Sequence, residues 1–178
     1  MQHSIVSQSE WLAARKALLA KEKEFTRARD ALSAARRELP WVEVDKNYVF
    51  DGPAGKQSLA ELFDGRSQLA VYHFMFGPDW NAGCPHCSHW ADNFNPIIVH
   101  LNQRNVTMVA ISRAPYAKLA TYRTRMGWSF KWLSSFESDF NFDYHVSFTP
   151  EEVPAKNALY NFAQQDPVVR ARGSQCVS

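Results

Sequence analysis

The most informative stretch of this 178-residue chain is residues 68–87, QLAVYHFMFGPDWNAGCPHC. Residues 68–76 form a run of β-branched, aromatic and aliphatic side chains, which is typical of a strand buried on both faces. The Gly, Pro and Asn residues of 77–83 predict a loop. Because two cysteines and a proline follow that loop, we expect a helix to begin at residue 85 or close to it.

The pattern of strands and helices continues along the chain. A helix is predicted over residues 85–103, with inward positions at Trp90, Phe94, Ile97, Ile98 and Leu101. Further elements are expected as follows: a strand within 41–50, a turn at 51–53, a helical turn at 58–63, strands at 106–112 and 130–133, and a helix from Pro115 to Met126 that Gly127 ends. Buried strands that alternate with helices predict an α/β fold with a parallel sheet and right-handed crossovers. In such sheets the chemistry lies at the carboxyl ends of the strands.

Residues 8–39 predict one long helix that contains no Gly or Pro. Ser9 is the expected N-cap, and Pro40 ends the helix. An apolar residue recurs every seven positions, at Trp11, Leu18, Phe25, Leu32 and Leu39. About 30 residues at 1.5 Å each make a helix of ~45 Å, which is longer than a domain of this size. We expect this stripe to lie on the chain's own domain or to form the contact of a homodimer.

The composition is that of a globular protein, with 46% hydrophobic and 21% charged residues. A net charge of +2 gives no reason to expect a nucleic acid or a membrane as partner. Three cysteines are too few for a secreted disulfide framework, and residues 1–10 contain no signal-peptide pattern. We expect a cytoplasmic protein with a helical arm at 1–40, one domain at 41–156 and a polar tail at 157–178.

Cys84-Pro85-His86-Cys87 predicts a redox-active pair. Two cysteines three positions apart in a first helical turn can close a small disulfide, and the backbone N–H groups there favour a thiolate. Cys84, which is nearer the loop, is the predicted nucleophile, and Cys87 resolves the mixed disulfide. Pro85 presets the helical φ, and a protonated His86 would add a positive charge beside the thiolate.

Other uses of the two cysteines are weaker predictions. A zinc site needs a second ligand pair, but the remaining cysteine, Cys176, stands alone near the end of the chain. Attachment of a c-type haem is excluded because Ser88 stands where the motif requires His. Two inert core thiols remain an alternative, and no cofactor or metal is expected.

Several residues near the cysteines are candidates for further roles. Trp80 would form a wall of a groove for a substrate thiol, and Arg113 would hold an acidic group at the carboxyl end of the second strand. Asp79 is interpreted as an ordinary turn residue, although it could also transfer protons. His73 is interpreted as a hydrogen-bonded core histidine, and His89 as a solvated surface residue.

Six short segments of the chain form a specific combination: 71–76 (VYHFMF), 83–88 (GCPHCS), 90–94 (WADNF), 110–115 (AISRAP), 126–128 (MGW) and 138–141 (SDFN). Together they resemble the bacterial thioredoxin-like domain-of-unknown-function family 899, whose members are described as predicted dithiol–disulfide oxidoreductases. The resemblance runs from about residue 11 to 152. It implies a thioredoxin-like fold with peroxiredoxin-like topology and places the redox pair on Cys84 and Cys87.

The chain departs from this family in its C-terminal part. Relatives continue past 148–150 into two more strands and a closing helix, whereas residues 157–178 are polar and lack an apolar strand pattern. We therefore expect the strand pair that completes the sheet to be missing or rewritten, with Pro150 and Pro154 as weak candidates for its cis-proline. An open sheet edge favours association, so it supports a homodimer or a tail that covers the edge.

The leading functional hypothesis is a thiol–disulfide oxidoreductase that acts on protein or small-molecule thiols and disulfides. A thiol peroxidase is an alternative, but its Pro-X-X-X-Thr-X-X-Cys pattern would place Pro and Thr at Gly77 and Asn81. The other alternative is a non-catalytic thioredoxin-like module for binding or dimerisation. The exposure of Cys84 discriminates between chemistry and a structural role.

Overall fold

The structure is a computed structural model that describes residues 3–149, 158–160 and 163–165. Its internal contacts divide the chain into two compact units, residues 1–45 and 46–178. The first unit consists mainly of one helix, and the second contains the sheet and the cysteines.

The first unit confirms the long N-terminal helix, α1, which spans Gln8–Arg37. Its N-cap is Ser7 instead of Ser9, because Glu10 lies three positions after Ser7 and completes a capping box. The Ser7 N–H donates to Glu10 Oε2 at 2.9 Å, and the Glu10 N–H donates to Ser7 Oγ at 3.3 Å. In the part of the chain that the structure describes, no helix combines the length and the apolar character needed to cross a membrane.

The second unit is built on a five-stranded sheet of order β2-β1-β5-β4-β3. Strands β3, β4 and β5 are parallel, and β1 runs antiparallel to both β5 and β2. The strands are β1 Val49–Gly52, β2 Gly55–Ser58, β3 Gln68–His73, β4 Val106–Ser112 and β5 Lys131–Ser134. The helices are a 3₁₀ turn at Glu61–Phe63, α2 Pro85–Ala91, α3 Phe94–Gln103, α4 Tyr116–Met126 and α5 Phe140–Asp143.

The α/β fold class and the helical crossovers are confirmed, and the core explains why these residues form them. Side chains alternate across the sheet, so that Ala110 and Trp132 face α2, α3 and α4 while Ile111 and Leu133 face the opposite side. The opposite side is closed by the 3₁₀ turn and α5, through residues such as Phe140. The carboxyl ends of the three parallel strands therefore meet at one edge, as expected.

The start of the sheet differs from the prediction. The strand expected within 41–50 begins only at Val49, and residues 41–47 contain no strand. Tyr48 and Phe50 are the two buried residues of this run. The apolar residues before them made the sequence pattern predict a strand that begins too early. The expected turn at 51–53 becomes a β-hairpin, whose reversal uses Gly55 at φ 91°.

Strand β3 is half-buried instead of buried on both faces. It pairs with β4 through the register Gln68↔Val106 to His73↔Ile111, and no other described strand pairs with it. A run of apolar residues indicates that both faces of a strand carry hydrophobic side chains, but it does not indicate whether both edges of the strand are paired. The strand that leads to the cysteines is thus an edge strand of the described sheet.

The single helix predicted over 85–103 is wrong, since the chain breaks at residues 92–93 into α2 and α3. Pro96 lies in the first turn of α3, and a proline there has no N–H to donate to the Asp92 carbonyl and would clash with it in a continuous helix. The break changes the helical phase, so Trp90 and Ile97 are exposed although both were expected to face inward. The other expected inward positions, Phe94, Ile98 and Leu101, are buried or partly buried.

The end of α4 follows the prediction, because Gly127 closes it in the left-handed region at φ 68°. Beyond residue 149 the described backbone forms two short strands, β6 Ala158–Tyr160 and β7 Ala163–Gln165. They pair with each other as a separate antiparallel sheet, so the interval expected to lack strands contains a short hairpin. Pro150 and Pro154 lie outside the described residues.

Candidate active site

The loop after β3 is tied to the strand that precedes it and presents the cysteines at the carboxyl edge of the sheet. The Cys84 N–H donates to the Met75 carbonyl at 3.0 Å, and the Ala114 N–H donates to the Phe76 carbonyl at 2.8 Å. Gly83 lies against the ring of Phe74 so closely that an added Cβ would be 2.6 Å from Phe74 Cε1. The backbone leading into the cysteines therefore has little room to shift.

Both cysteines are free thiols at the start of α2. Cys84 is the N-cap residue and is partly exposed, whereas Cys87 in the first turn is only 6% exposed. Pro85 occupies the first helical position, where its missing N–H costs nothing. A reactant can thus reach Cys84 before it reaches Cys87.

Several interactions with opposite effects act on the Cys87 thiol. Burial is the largest and raises the pKa of Cys87, and the nearby Cys84 raises it further. Hydrogen bonds from the Met75 N–H and the Tyr72 hydroxyl to Cys87 Sγ oppose this effect, because they stabilise the thiolate. Since burial dominates, Cys87 retains its proton at neutral pH and contributes a hydrogen bond between the two sulfurs.

The Cys84 side chain makes no capping hydrogen bond to the N-terminal N–H groups of α2. The sequence suggested that these groups would hold a Cys84 thiolate; in the reduced form the sulfur instead contacts Cys87. The Cys84 carbonyl is engaged twice, by the Ser88 N–H at 2.9 Å and by Ser88 Oγ at 3.0 Å. These bonds fix the first turn of α2 around both sulfurs.

Tyr72 is a site residue that the sequence analysis missed. Its ring packs edge-on against Phe94 at 4.9 Å, and its hydroxyl reaches Cys87. Burial raises the pKa of the phenol, and the hydrogen bond to Cys87 raises it further. The sequence did carry one signal. Side chains alternate along β3 and the residues that follow it, and this alternation places Tyr72, Phe74 and Phe76 on the face that packs on α2. Without the strand register, the sequence does not show which of these aromatic residues reaches a cysteine.

Trp80 and the cysteines share one apolar cluster. Trp80 and Cys84 are both partly buried against it, so the structure brings the predicted groove residue to the same side of the sheet as the thiols. Gly77 lies beneath the indole, and an added Cβ there would be 2.9 Å from Trp80 Nε1. Lys118 Nζ donates to the carbonyls of Pro78 at 2.5 Å and Trp80 at 3.3 Å, which holds the loop to α4.

Arg113 lies beside a different cavity at the same edge of the sheet. This cavity of about 340 Å³ is lined by Pro78, Arg113, Phe136, Glu137, Ser138, Asp139 and Phe142. The guanidinium lies over the Phe142 ring at 4.6 Å, and burial lowers the pKa of Arg113 while the charge of Asp79 opposes that shift. Neither cysteine lines the cavity, so the structure does not bring Arg113 to the two sulfurs directly.

The remaining candidate residues are three histidines, Asp79 and Cys176. His73 faces the opposite side of the sheet and stacks on Phe140 at 5.4 Å, with its Nδ1 buried and without a hydrogen-bond partner. It is thus a partly buried histidine that makes no hydrogen bond at this nitrogen. His86 and His89 are exposed on α2, and Asp79 is exposed in the loop. Cys176 lies outside the described residues.

The described residues contain no group of three or more His, Cys, Asp or Glu side chains arranged to hold a metal ion. Within those residues, a zinc ion at the two cysteines would lack the further protein ligands that structural sites use.

A Cys-X-X-Cys at the junction between a parallel strand and its crossover helix, with the next two strands parallel in order, defines a thioredoxin-like α/β protein. The chain belongs to the family described as "Bacterial protein of unknown function (DUF899)", whose model matches residues 1–174. The resemblance noted in the sequence is thereby confirmed. No curated protein matches the chain.

Several solved structures are similar to parts of this chain. A yeast mitochondrial 1-Cys peroxiredoxin is 16% identical, with a TM-score of 0.49, over 61% of this chain and 52% of its own, so the chain spans about half of its length. A mutant of PrxQ from Xylella fastidiosa is 14% identical, with a TM-score of 0.46, over 65% of this chain and 74% of its own. A secreted disulfide oxidoreductase of Mycobacterium tuberculosis, homologous to E. coli DsbE, is 18% identical, with a TM-score of 0.42, over 58% and 71%.

Proposed function

We propose that the protein is a thiol–disulfide oxidoreductase that uses Cys84 and Cys87 as its redox pair. The observation that carries this proposal is the asymmetry of the pair: a partly exposed Cys84 contacts a buried Cys87 whose pKa is raised. An attacking thiol must be reachable, whereas a resolving thiol must be close to it and shielded from competing reactants.

In the proposed reaction, the Cys84 thiolate attacks one sulfur of a substrate disulfide. A bond forms between Cys84 Sγ and that sulfur, the substrate disulfide breaks, and the other half leaves as a thiolate. Cys87 then loses its proton and attacks Cys84 Sγ, which forms the Cys84–Cys87 disulfide and releases the second substrate thiolate. Two electrons pass from the protein to the substrate, and an external dithiol returns them.

Residues near the two cysteines support the proposed reaction. Tyr72 and the Met75 N–H stabilise the negative charge on Cys87 when it attacks. Trp80 forms an apolar wall beside Cys84, Pro85 keeps the first turn helical, and a protonated His86, which is exposed, would add positive charge near the approaching substrate. Arg113 acts at a distance from the sulfurs, as an anchor for a charged part of the substrate.

The proposed substrates are protein or small-molecule disulfides and their thiols. A cytoplasmic site of action fits this proposal, because a reducing compartment keeps the pair in the dithiol form that attacks disulfides. The alternative of a non-catalytic module predicts that the cysteines are dispensable for every activity of the protein.

The test is turnover of a model disulfide, such as insulin with dithiothreitol as reductant, by the wild type and by two single variants. Cys84→Ser is expected to reduce the rate to that of dithiothreitol alone. Cys87→Ser is expected to lose turnover but to retain a trapped mixed disulfide on Cys84 when treated with Ellman's reagent. Cys176→Ser is the matched control, since it removes the third cysteine and should leave the rate unchanged.

The results distinguish a redox role of the two cysteines from a non-catalytic one. Loss of turnover in both active-site variants, with the adduct on Cys84 alone, supports the assigned roles. An insulin-reducing activity that survives Cys84→Ser contradicts the proposal, and so does an adduct that forms only on Cys87.

A further inference from the structure

Helix α1 carries a stripe of large apolar side chains that its own unit, residues 1–45, does not bury. None of its residues is buried over the full length of Gln8–Arg37. Trp11 is 51% exposed, Leu18 52%, Phe25 72% and Leu32 52%. Four large apolar side chains on one line of a helix form a surface that binds another apolar surface in water. Their spacing shows which kind of surface that is.

The spacing is a strict seven-residue repeat, which is the repeat of a left-handed coiled coil. Trp11, Leu18, Phe25 and Leu32 occupy position a of four successive heptads. The d positions three residues later hold Ala14, Lys21, Ala28 and Ala35. Alanine at d allows two helices to approach closely, while Lys21 interrupts the seam once.

The residues beside the stripe carry opposite charges on its two sides. The g positions are Glu10, Ala17, Glu24 and Ala31, and the e positions are Arg15, Glu22, Arg29 and Arg36. The one acidic residue on the e side, Glu22, is paired with Arg15 of its own helix at 2.9 Å. One flank of the stripe is thus acidic where it is charged, and the other is mainly basic.

These charges distinguish the two ways in which a second copy of the helix can pack. In a parallel pair, each g residue faces the e residue of the next heptad on the other helix. Glu10 then faces Arg15 and Glu24 faces Arg29, twice each by symmetry. In an antiparallel pair, g faces g and e faces e, so that Glu24 would face Glu24 and Arg15 would face Arg29. The parallel arrangement is attractive and the antiparallel one repulsive.

We propose that α1 forms a parallel two-stranded coiled coil with α1 of a second copy of this chain. The occupant of the stripe is a second copy because the charge pattern is complementary to itself and the heptad repeat persists over four heptads. This inference is independent of the proposed thiol chemistry, since it concerns only the first unit and is read out by association alone.

Sedimentation equilibrium of the full chain tests the charge pairing. The wild type is expected to dimerise, and Arg29→Glu is expected to weaken the dimer about tenfold because it places Glu opposite Glu at two symmetric sites. Glu24→Arg should weaken it similarly. The double variant Glu24→Arg/Arg29→Glu restores opposite charges and should recover most of the lost affinity. Lys23→Glu is the control, since it changes the charge by the same amount at position f, away from the seam.

Each contrary result overturns the inference. A wild type that stays monomeric at every concentration means that the stripe is covered in another way. A dimer that Arg29→Glu tightens is antiparallel, because the introduced carboxylate would then face Arg15. Equal weakening by Lys23→Glu and Arg29→Glu would show that total charge, and not the pairing of g with e, controls association.

Cross-linking provides a second measurement that does not depend on charge. In a chain whose three native cysteines are replaced by Ser, Ala14→Cys places a thiol at position d, where the same residue of a parallel partner lies across the seam. Mild oxidation is expected to give covalent dimers. Ala13→Cys, one residue earlier at position c, faces away and should give few. Equal yields from both variants would contradict the parallel seam.

Discussion

At the scale of the residue, Cys87 is governed by a competition that its neighbours set. Burial raises its pKa, while Tyr72 and the Met75 N–H act in the opposite direction. In the proposed reaction Cys87 needs this compromise, because a resolving thiol must stay protonated while Cys84 reacts and yet release its proton afterwards. Tyr72 is the part of this balance that a side-chain substitution can remove, since the Met75 donor belongs to the backbone.

Tyr72→Phe keeps the ring against Phe94 and removes the hydroxyl. Since the hydroxyl stabilises the thiolate, its loss is expected to raise the pKa of Cys87 further and to slow the resolution of a mixed disulfide several-fold. The pKa of Cys87 is measured from the pH dependence of its alkylation rate in a Cys84→Ser/Cys176→Ser background.

The matched control is Tyr122→Phe in the same background. It removes a phenol hydroxyl from the same aromatic cluster, but that hydroxyl is paired with Ser88 Oγ at 3.0 Å and is not among the groups that shift the pKa of Cys87. A pH profile that shifts with Tyr122→Phe and stays fixed with Tyr72→Phe would refute the role given to Tyr72.

At the scale of the element, the loop between β3 and α2 depends on how closely its backbone approaches the core. Gly83 and Phe74 are in contact, and no positive φ is involved, so the constraint there is purely steric. Position 83 therefore links the placement of the cysteines to the packing of the sheet.

Gly83→Ala would insert a methyl group 2.6 Å from Phe74 Cε1 and force the ring or the loop to move. We expect a destabilisation of about 1–3 kcal/mol from this overpacking, measured as a lower urea midpoint. Ala82→Ser, an exposed neighbour, should change the free energy of unfolding by less than about 0.5 kcal/mol. An unchanged midpoint for Gly83→Ala would mean that the loop does not rest on Phe74.

Some of these elements could be predicted from the sequence and others could not. The order of strand, loop, helix and strand from residue 68 to 112 was predictable, because β-branched runs, a Gly/Pro loop and a Cys-Pro start are local signals. The break at 92–93 had a signal in Pro96, which the apolar period of the helix obscured. The edge position of β3 and the contact from Tyr72 to Cys87 were not predictable, since both depend on register between distant segments.

At the scale of the whole molecule, the partly buried His73 is expected to make stability depend on pH. His73 packs on Phe140 with an unpartnered Nδ1, and burial lowers its pKa. Below about pH 6.5 the unfolded chain therefore binds a proton at this residue that the folded protein resists. Stability is expected to fall as the pH drops from about 7 towards the lowered pKa.

His73→Phe removes the titrating group and preserves the stacked ring. It is expected to flatten the dependence of the urea midpoint on pH between about 7 and 5, and to be at least as stable as the wild type in the lower part of this range. His100→Gln, at an exposed histidine of α3, should leave the slope unchanged. The opposite pattern, with His100→Gln flattening the curve, would place the titrating group elsewhere.

The proposed redox activity of Cys84 and Cys87 can be tested on the folded wild-type molecule as a whole. The protein is equilibrated with glutathione mixtures of graded potential, quenched with acid, alkylated and analysed at the peptide that contains both cysteines. We predict a two-electron transition from the dithiol to a disulfide that joins Cys84 to Cys87. Two thiols that persist in the most oxidising mixture, or glutathione adducts on each cysteine without a bond between them, would contradict the assignment.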